Sequence, residues 1–409
     1  MRTWGFVSIL AATALVLSGC TIDNNHPGKW KIEASAEPPA DAAASAEVFT
    51  PIVGSVLAPP LAVPSTDGKT HLAYELLLTN VLGQPVTLNT VSVQSDGFEL
   101  LRLEADDLTP WVRPLGAAGP GRVLAAGQQA TVMLDVILLR GAEPPKKLTH
   151  LIELSPETPM PPIVDATMQQ EVAPTEVSAA KPVVISSPVK GKNWLDGNSC
   201  CDVTPHRQAI NPINGSLFAP ERFAIDFVQL DADGKIFSGA IDSFDSYDYF
   251  GADIVAVADG PIVSMSWDLP DVQPGAHPTG LTLQQYGGNH IVQDIGGGRY
   301  AFYAHLRGGN PEGLEVGQKL KRRQVIGQLG NSGNTDMPHL HFHIMDSPLP
   351  LGSNGLPFLI ESFALEGTVA EPDLFACMEA SIPCKIEAAA AGEMSELGLL
   401  YGNVASFGG

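Results

Sequence analysis

Three histidines that alternate with apolar residues form the most informative pattern in the chain. The run Pro-His-Leu-His-Phe-His places His339, His341 and His343 two residues apart. In a β-strand, side chains two positions apart point to the same face, so the three imidazoles would share one face. Neutral imidazole is a good zinc ligand. The pattern therefore predicts a metal-binding strand face backed by apolar core, and the alternative is a polar face with incidental histidines.

Two more segments carry polar groups that suit such a site. Asp226 lies between two apolar residues, so in a strand its carboxylate would point away from the face that they share. His305 stands in Tyr-Ala-His-Leu, and the turn Gly-Asn-Ser-Gly at 330–333 leads the chain toward the histidine strand. Together these segments offer the oxygen and nitrogen donors that zinc sites use.

Taken in order, three motifs resemble those of the lysostaphin-like (LytM-type) zinc metallopeptidases, which are peptidoglycan endopeptidases. They are Tyr-Ala-His-Leu at 303–306, the turn at 330–333 and Pro-His-Leu-His-Phe at 338–342. The resemblance covers roughly residues 205–350. It implies an antiparallel β core, Zn²⁺ as the cofactor and peptidoglycan peptides as the substrate.

The family pattern is a His-x-x-x-Asp pair, a lone histidine and a His-x-His pair. By resemblance, Asp226 and His341 correspond to metal ligands, and His305 and His339 to the two histidines that act on the water or the transition state. A catalytic zinc keeps three protein ligands and leaves a position for water. The metal lowers the pKa of that water, an imidazole can take its proton, and another can donate to the oxyanion.

The chain departs from the family pattern at the first ligand. That position holds Arg222, and a guanidinium has no free lone pair with which to bind a metal. We expect His206 to supply the third ligand from a loop upstream, while a plain loop histidine remains the alternative. His343 and His290 are the other histidines that could fill the role.

Arg222 and His343 are also candidates for roles near the metal other than direct binding. Near the metal, Arg222 could pair with a substrate carboxylate or with the developing oxyanion. The family usually has an acidic residue at the position of His343. A role around the metal suits His343 better than direct binding, because it lies roughly 6–7 Å along the strand from His341.

The leading functional hypothesis is a zinc metalloendopeptidase that hydrolyses the peptide cross-links of peptidoglycan. One alternative is a catalytically degenerate family member that binds and activates other cell-wall hydrolases, and Arg222 favours it. A second alternative, a structural or carbohydrate-binding lipoprotein, leaves the histidine strand unexplained.

The elements that must position these residues are predicted to be mainly β-strands, so the fold class is mainly β. Residues 47–155 predict a β-sandwich, immunoglobulin-like in type, because short apolar alternations are separated by Gly, Pro and Asp turns. Residues 156–183 read as a Pro-rich linker, 184–370 as the metallopeptidase-like β domain, and 371–409 as a C-terminal segment. The alternating apolar positions of the first domain are Leu72, Tyr74, Leu76, Leu78, Val132, Leu134, Val136 and Leu138.

Two hairpins are predicted inside the second domain. Three consecutive glycines separate the apolar runs 290–295 and 299–306, and Asp-Gly separates the runs 253–258 and 261–267. Such dipeptides and glycine runs favour tight turns between antiparallel strands.

The N-terminus reads as a processing signal. Arg2 precedes an apolar stretch that is too short to span a membrane, and Leu-Ser-Gly-Cys then resembles a bacterial lipobox. We therefore expect a signal peptide over 1–19, lipidation of Cys20 and a flexible tether over 20–46. An ordinary secretory signal with a chance cysteine is the alternative. The anchor predicts an envelope protein on the periplasmic side, in the outer membrane of a Gram-negative bacterium.

Length, charge and cysteine content further limit the possible domain number, partners and cross-links of the protein. The 409 residues suit two domains, and the net charge of −22 argues against nucleic acid as a partner. Adjacent cysteines rarely bond each other, so cross-links from Cys200 and Cys201 to Cys377 and Cys384 are one option, and the sequence leaves the pairing open. A zinc site built from these four cysteines is a weaker option because their spacing does not match that of zinc ribbons.

Overall fold

The structure is a computed structural model, and it describes residues 47–310 and 312–408. The predicted signal peptide, Cys20 and nearly all of the tether lie outside these residues. The chain is mainly β, as expected, and its strands are antiparallel except in one short pair. No helix within the described ranges is long and apolar enough to cross a membrane.

The first region forms two five-stranded sheets. Its strands are β1 (Ile52–Val56), β2 (Val63–Pro64), β3 (Thr70–Asn80), β4 (Val86–Ser95), β5 (Phe98–Glu104), β6 (Val112–Pro114), β7 (Val123–Leu124), β8 (Gln129–Leu138), β9 (Lys147–Pro156) and β10 (Met168–Glu176). One sheet has the order β1-β3-β8-β6 with β2 beside β3. The other has the order β10-β9-β4-β5 with β7 beside β4.

The two sheets share one hydrophobic core. The predicted alternation in β3 and β8 is confirmed, since all eight alternating apolar side chains are buried. They pack in one cluster with side chains of β4 and β9 from the other sheet. Two sheets around a common core form a layered β architecture, while its immunoglobulin-like type stays a prediction.

The predicted linker is wrong over part of its length. Residues Met168–Glu176 form β10, which pairs with β9 as an edge strand of the second sheet. The prolines and threonines of 156–183 concealed this strand, because its inward-facing positions are few and Val172 alone among them is a buried apolar residue.

The second region is built on one twelve-stranded sheet. The strands of this region are β11 (Val183–Ile185), β12 (Gly191–Gly197), β13 (Asn211–Ile213), β14 (Ser216–Phe218), β15 (Ile225–Gln229), β16 (Asp253–Val255), β17 (Gly260–Ser266), β18 (Asn289–Gly296), β19 (Arg299–Leu306), β20 (Lys319–Leu320), β21 (Val325–Gln328), β22 (Leu340–Met345), β23 (Gly355–Leu356), β24 (Phe358–Ile360), β25 (Phe363–Val369), β26 (Ile386–Glu387), β27 (Gly392–Met394) and β28 (Asn403–Phe407).

The helices are few and short. They are α1 (Ala105–Leu108), α2 (Pro205–Gln208) and α3 (Glu371–Glu379), with 3₁₀ turns at Thr109–Trp111, Phe244–Ser246 and Leu283–Gln285.

The large sheet runs in the order β20-β17-β18-β19-β22-β15-β12-β28-β25-β26. β28 lies between β12 and β25, so the boundary predicted at residue 370 is wrong. The segment 371–409 supplies an internal strand of this sheet rather than a separate tail. Its pairing with β12 spans about two hundred residues of sequence, and no local pattern reports such a partner.

One of the two predicted hairpins is confirmed. β18 and β19 pair across the glycine turn. The Asp-Gly hairpin is wrong, because β16 pairs with β21 while β17 pairs with β18 and β20. The strands on either side of Asp-Gly thus pair with strands from farther along the chain instead of with each other.

Cross-links between the two cysteine pairs, the option that the sequence left open, are not formed. Cys377 bonds Cys384, and Cys200 bonds Cys201 across a cis peptide bond. The Cα atoms of Cys377 and Cys384 are 5.2 Å apart, because the chain turns back after α3 within the range that a disulfide needs. Both pairs therefore close locally.

The outer face of β3 is buried as well as its inner face. Ala73 and Glu75 point away from the shared core, yet their exposed fractions are 1% and 0%. Ala73 packs with Cys200, Cys201 and Phe223 of the second region. The first region thus docks through this face onto the segment that precedes β15.

Candidate metal centre

Neighbouring strands bring an aspartate and a histidine side by side. In the register of β15 and β22, Asp226 lies directly opposite His341. The apolar residues that alternate with them on these strands are buried in the core, so the carboxylate and the imidazole share the opposite face. His341 Nδ1 lies 3.0 Å from Asp226 Oδ1.

The third donor comes from α2, a single helical turn that begins with a proline. Thr204 caps this turn by accepting a hydrogen bond from the backbone N–H of Arg207, as N-cap threonines do. His206 Nε2 thereby lies 3.2 Å from Asp226 Oδ2. Donor atoms of His206, Asp226 and His341 all lie within 4.8 Å of one another. The predicted placement of His206 beside the other two residues agrees with this geometry.

Hydrogen bonds fix which ring nitrogen faces the cluster. His206 Nδ1 donates to the carbonyl of Ala224 at 3.1 Å, which leaves Nε2 for a metal. His341 Nε2 lies 2.9 Å from His343 Nδ1, which leaves His341 Nδ1 for a metal. Such outer partners orient the ligands in metal sites. Two imidazoles, one carboxylate and an open side form the donor set of a catalytic zinc site, so these residues fit that ion.

Two further histidines border the cluster without completing it. His305 Nδ1 donates to the carbonyl of Ser332 at 2.8 Å, and His339 Nδ1 donates to that of Met337 at 2.8 Å. The Nε2 atom of each ring is therefore free to face the groove, and their ring centroids are 4.7 Å apart. His339 Nε2 lies 3.4 Å from Asp226 Oδ1.

A close packing of turns sets the position of His305. Its own φ is 60°, in the region that favours glycine. The carbonyl of Ser332 that holds it belongs to the turn predicted from Gly-Asn-Ser-Gly. That turn packs directly on Gly288, where an added Cβ would lie 2.1 Å from Ser332 O. Only glycine allows the two backbone segments to approach this closely.

The charged groups of the cluster shift one another's pKa values. Burial alone would raise the pKa of Asp226, but the charges of His206 and then His339 outweigh it and hold that pKa well below its usual range. Burial alone would lower the pKa of His206, but the Asp226 carboxylate raises it to about 9. Burial, and then the charges of His339 and His341, hold the pKa of His305 well below its usual range. A neutral His305 can accept a proton.

Asn198 belongs to the site and was missed in the sequence. Its side-chain amide donates to Asp226 Oδ2 at 2.8 Å. It follows β12, where Gly197 lies opposite Asp226 and leaves room for that residue, since an added Cβ would be 3.1 Å from its carbonyl oxygen. A lone Gly-Asn pair at the end of a strand carried no signal that could have distinguished it from an ordinary turn.

Arg222 requires a correction. It does not point into the groove to meet a substrate, because its guanidinium makes a bidentate pair with the buried carboxylate of Glu75 in β3. Among the described residues, neither His290 nor His343 joins the metal-type cluster with Asp226. His343 instead contacts the far nitrogen of His341, and His290 Nδ1 donates to the carbonyl of Gly288 at 2.8 Å.

The cluster lies at the base of a groove of about 1020 Å³. Its described lining includes three carboxylates besides Asp226, those of Glu221, Asp268 and Asp336, and contains no Lys or Arg. Tyr286 lines the same groove. An open groove of this volume can admit an extended peptide to the two free imidazole nitrogens.

Comparison with known proteins gives one family match. Residues 244–352 match the model of Peptidase family M23. The matched segment contains His305, His339 and His341 and begins after His206 and Asp226. No curated protein matches the chain.

Solved structures give more distant likenesses. The catalytic domain of the antimicrobial peptidase lysostaphin from Staphylococcus simulans is 22% identical with a TM-score of 0.20, over 38% of this chain and 80% of that one. A putative M23 peptidase from Pseudomonas aeruginosa is 15% identical with a TM-score of 0.26, over 73% and 93%. A zinc-containing peptidase from Vibrio cholerae is 13% identical with a TM-score of 0.21, over 70% and 80%.

Proposed function

We propose, from the match of residues 244–352 to the model of Peptidase family M23, that the chain is a zinc metalloendopeptidase that hydrolyses the peptide cross-links of peptidoglycan. The observation that carries the proposal is the convergence of His206, Asp226 and His341 beside His305 and His339. Donor atoms from four separate segments of sequence meet at the base of one groove, and no packing requirement explains their meeting.

Zinc held by His206, Asp226 and His341 would supply a Lewis acid and a water of lowered pKa. The residues of the chain do the rest of the chemistry. His305 and His339 direct Nε2 toward the groove, where one ring can accept the proton of the attacking water and the other can donate to the developing oxyanion. The proton taken up can then pass to the departing amine.

The substrate proposal combines the groove with the family. The groove is open enough for an extended peptide, and the family resemblance in the sequence points to cell-wall peptides. Lysostaphin, which the chain resembles, is an antimicrobial peptidase.

The degenerate alternative rested on Arg222 at the usual first-ligand position. In the structure His206 reaches Asp226 from α2 and places its Nε2 atom beside the Asp226 carboxylate, where that ligand is needed. This placement favours a metal-binding centre, and therefore the enzyme, over a binding module that has lost its site.

A combined metal and activity assay tests the proposal. The purified full chain should contain about one zinc ion per molecule by plasma mass spectrometry and should release new amino groups from purified peptidoglycan. His341→Ala should lose both properties, whereas His339→Ala should keep zinc and lose hydrolysis.

The matched control is His277→Ala. His277 lines the same groove and is exposed, but it lies outside the metal cluster, so its loss should leave the zinc content unchanged. A wild-type chain without zinc, or a His341→Ala chain that hydrolyses normally, would contradict the proposal.

We also propose that Cys20 is lipidated and anchors the protein in the cell envelope, in the outer membrane of a Gram-negative bacterium. The support is the Leu-Ser-Gly-Cys motif after a short apolar stretch. Radiolabelled palmitate should enter the wild-type chain and not the Cys20→Ser chain, and labelling of both chains alike would refute the anchor.

A further inference from the structure

A buried carboxylate of the first region lies between two guanidiniums of the second. Glu75 has an exposed fraction of 0%, and Arg222 and Arg207 have 4% and 1%. Arg222 Nε donates to Glu75 Oε1 at 2.9 Å, and Arg207 Nε lies 3.8 Å from the same oxygen. One buried anion therefore faces two buried cations, and in such surroundings charge interactions are strong and an unpaired charge is costly.

Arg207 is the immediate neighbour of His206 in α2. Its guanidinium also donates to two carbonyls of the first region, those of Leu134 at 3.2 Å and Tyr74 at 3.5 Å, and to the carbonyl of Cys201 at 3.3 Å. A helix of one turn has almost no stability of its own. The buried side chain of Arg207 is thus an anchor that ties the backbone of His206 to the first region.

Arg222 acts on the other side of the same imidazole. It lies two residues before Ala224, whose carbonyl accepts the hydrogen bond from His206 Nδ1 at 3.1 Å. The backbone between them is closed by a bond from Ala224 N to Glu221 O at 2.9 Å. Fixing Arg222 therefore fixes the carbonyl that selects the tautomer and orientation of His206.

From these contacts we propose that Glu75 is a positioning residue for the metal centre, so that the first region of the chain determines how tightly His206 holds a metal. The inference rests on the proposed metal site. Through Arg207, Glu75 places the backbone of the ligand, and through Arg222 it places the group that orients the ligand. Arg222, at the expected ligand position, thus does not bind the metal. It supports His206, the residue that takes the place of the missing ligand.

The test is the zinc affinity of the full chain, measured by competition with a chelator. Glu75→Gln should weaken zinc binding about 10- to 100-fold, the usual effect of removing an outer partner of a metal ligand. Zinc binding should be weakened by Glu75→Asp as well, since the shorter side chain keeps the charge but cannot reach both arginines. This second variant decides the matter if Glu75→Gln fails to fold.

Glu153→Gln is the matched control. Glu153 lies on β9, a strand of the other sheet of the first region, so the variant makes the same chemical change away from the two arginines. Its loss should leave zinc affinity unchanged.

A double-mutant cycle separates positioning from general destabilisation. In a His206→Ala background, Glu75→Gln should have no further effect on zinc affinity, because the residue it positions is gone. If the wild-type chain binds zinc and both Glu75→Gln and Glu75→Asp bind it equally tightly, the inference is overturned while the proposed function stands. An equal loss in the His206→Ala background would also overturn it. A wild-type chain that binds no zinc would instead refute the proposed function.

Discussion

Gly288→Ala offers a sharp test of how the fold holds His305. The new Cβ would lie 2.1 Å from the carbonyl oxygen of Ser332, the atom that accepts the hydrogen bond from His305 Nδ1 at 2.8 Å. A normal contact needs roughly 3.2 Å, so the turn must withdraw by about 1 Å and take its hydrogen bond with it.

The expected effect follows from that displacement. A shift of about 1 Å in a group that positions a reacting residue costs on the order of 100-fold in rate. We therefore expect Gly288→Ala to lower kcat/KM for peptidoglycan peptides by about 100-fold. Zinc content should not change, since His206, Asp226 and His341 do not depend on Ser332 for their hydrogen bonds.

The control is Gly298→Ala in the turn between β18 and β19. Both glycines have positive φ, 65° at Gly288 and 70° at Gly298, but nothing lies within 4 Å of an added Cβ at Gly298. Each variant pays about 1–2 kcal/mol for the left-handed conformation, and only the first meets a backbone oxygen. Equal activity in the two variants, or zinc loss in Gly288→Ala, would refute the reasoning.

Three further outcomes are expected. Zinc affinity should fall about tenfold for each pH unit below the His206 pKa of about 9, because one proton must leave for each metal bound. Calorimetric titrations at pH 7 and 8 measure this dependence, and equal affinities at the two pH values would contradict it. Burial raises the pKa of Asp196 well above its usual value, so the folded chain keeps a proton that the unfolded chain loses, and the free energy of unfolding should decrease as the pH rises. Asp196→Asn should remove that dependence between pH 5 and 8 in thermal unfolding, and an unchanged slope would argue against it. Replacing Cys377 and Cys384 by serine should lower the free energy of unfolding by about 2 kcal/mol, the value for a short loop, in urea titrations with and without reductant; a loss near zero would show that α3 holds this loop unaided.

The parts of the fold that sequence predicts are those with local signals. The alternation in β3 and β8, the glycine-turn hairpin and the histidine strand each reveal themselves within about ten residues. The family resemblance, read from three motifs in order, is confirmed by the match over 244–352. Each of these features depends on residue type and spacing alone.

The parts that sequence misses depend on partners far along the chain. Arg222 and Glu75 are 147 residues apart, and nothing near either residue reports the other. The pairing of β10 and of β28 is set by their neighbours in the sheet, and the Cys377–Cys384 disulfide depends on where the chain turns back after α3. His206 is predictable only from the chemistry of position 222. Because Arg222 cannot bind a metal there, another residue must supply the third ligand.

The position of β28 has a consequence for how the protein is made. A chain is synthesised from its amino end, and every residue of the metal centre exists once His341 has been added. β25 is made next, and β12 and β25 keep open edges until β28, the strand that joins them, is completed at residue 407. The second region therefore completes its sheet late in synthesis, and a chain cut between α3 and β28 would retain His206, Asp226 and His341 while leaving β12 with an open edge.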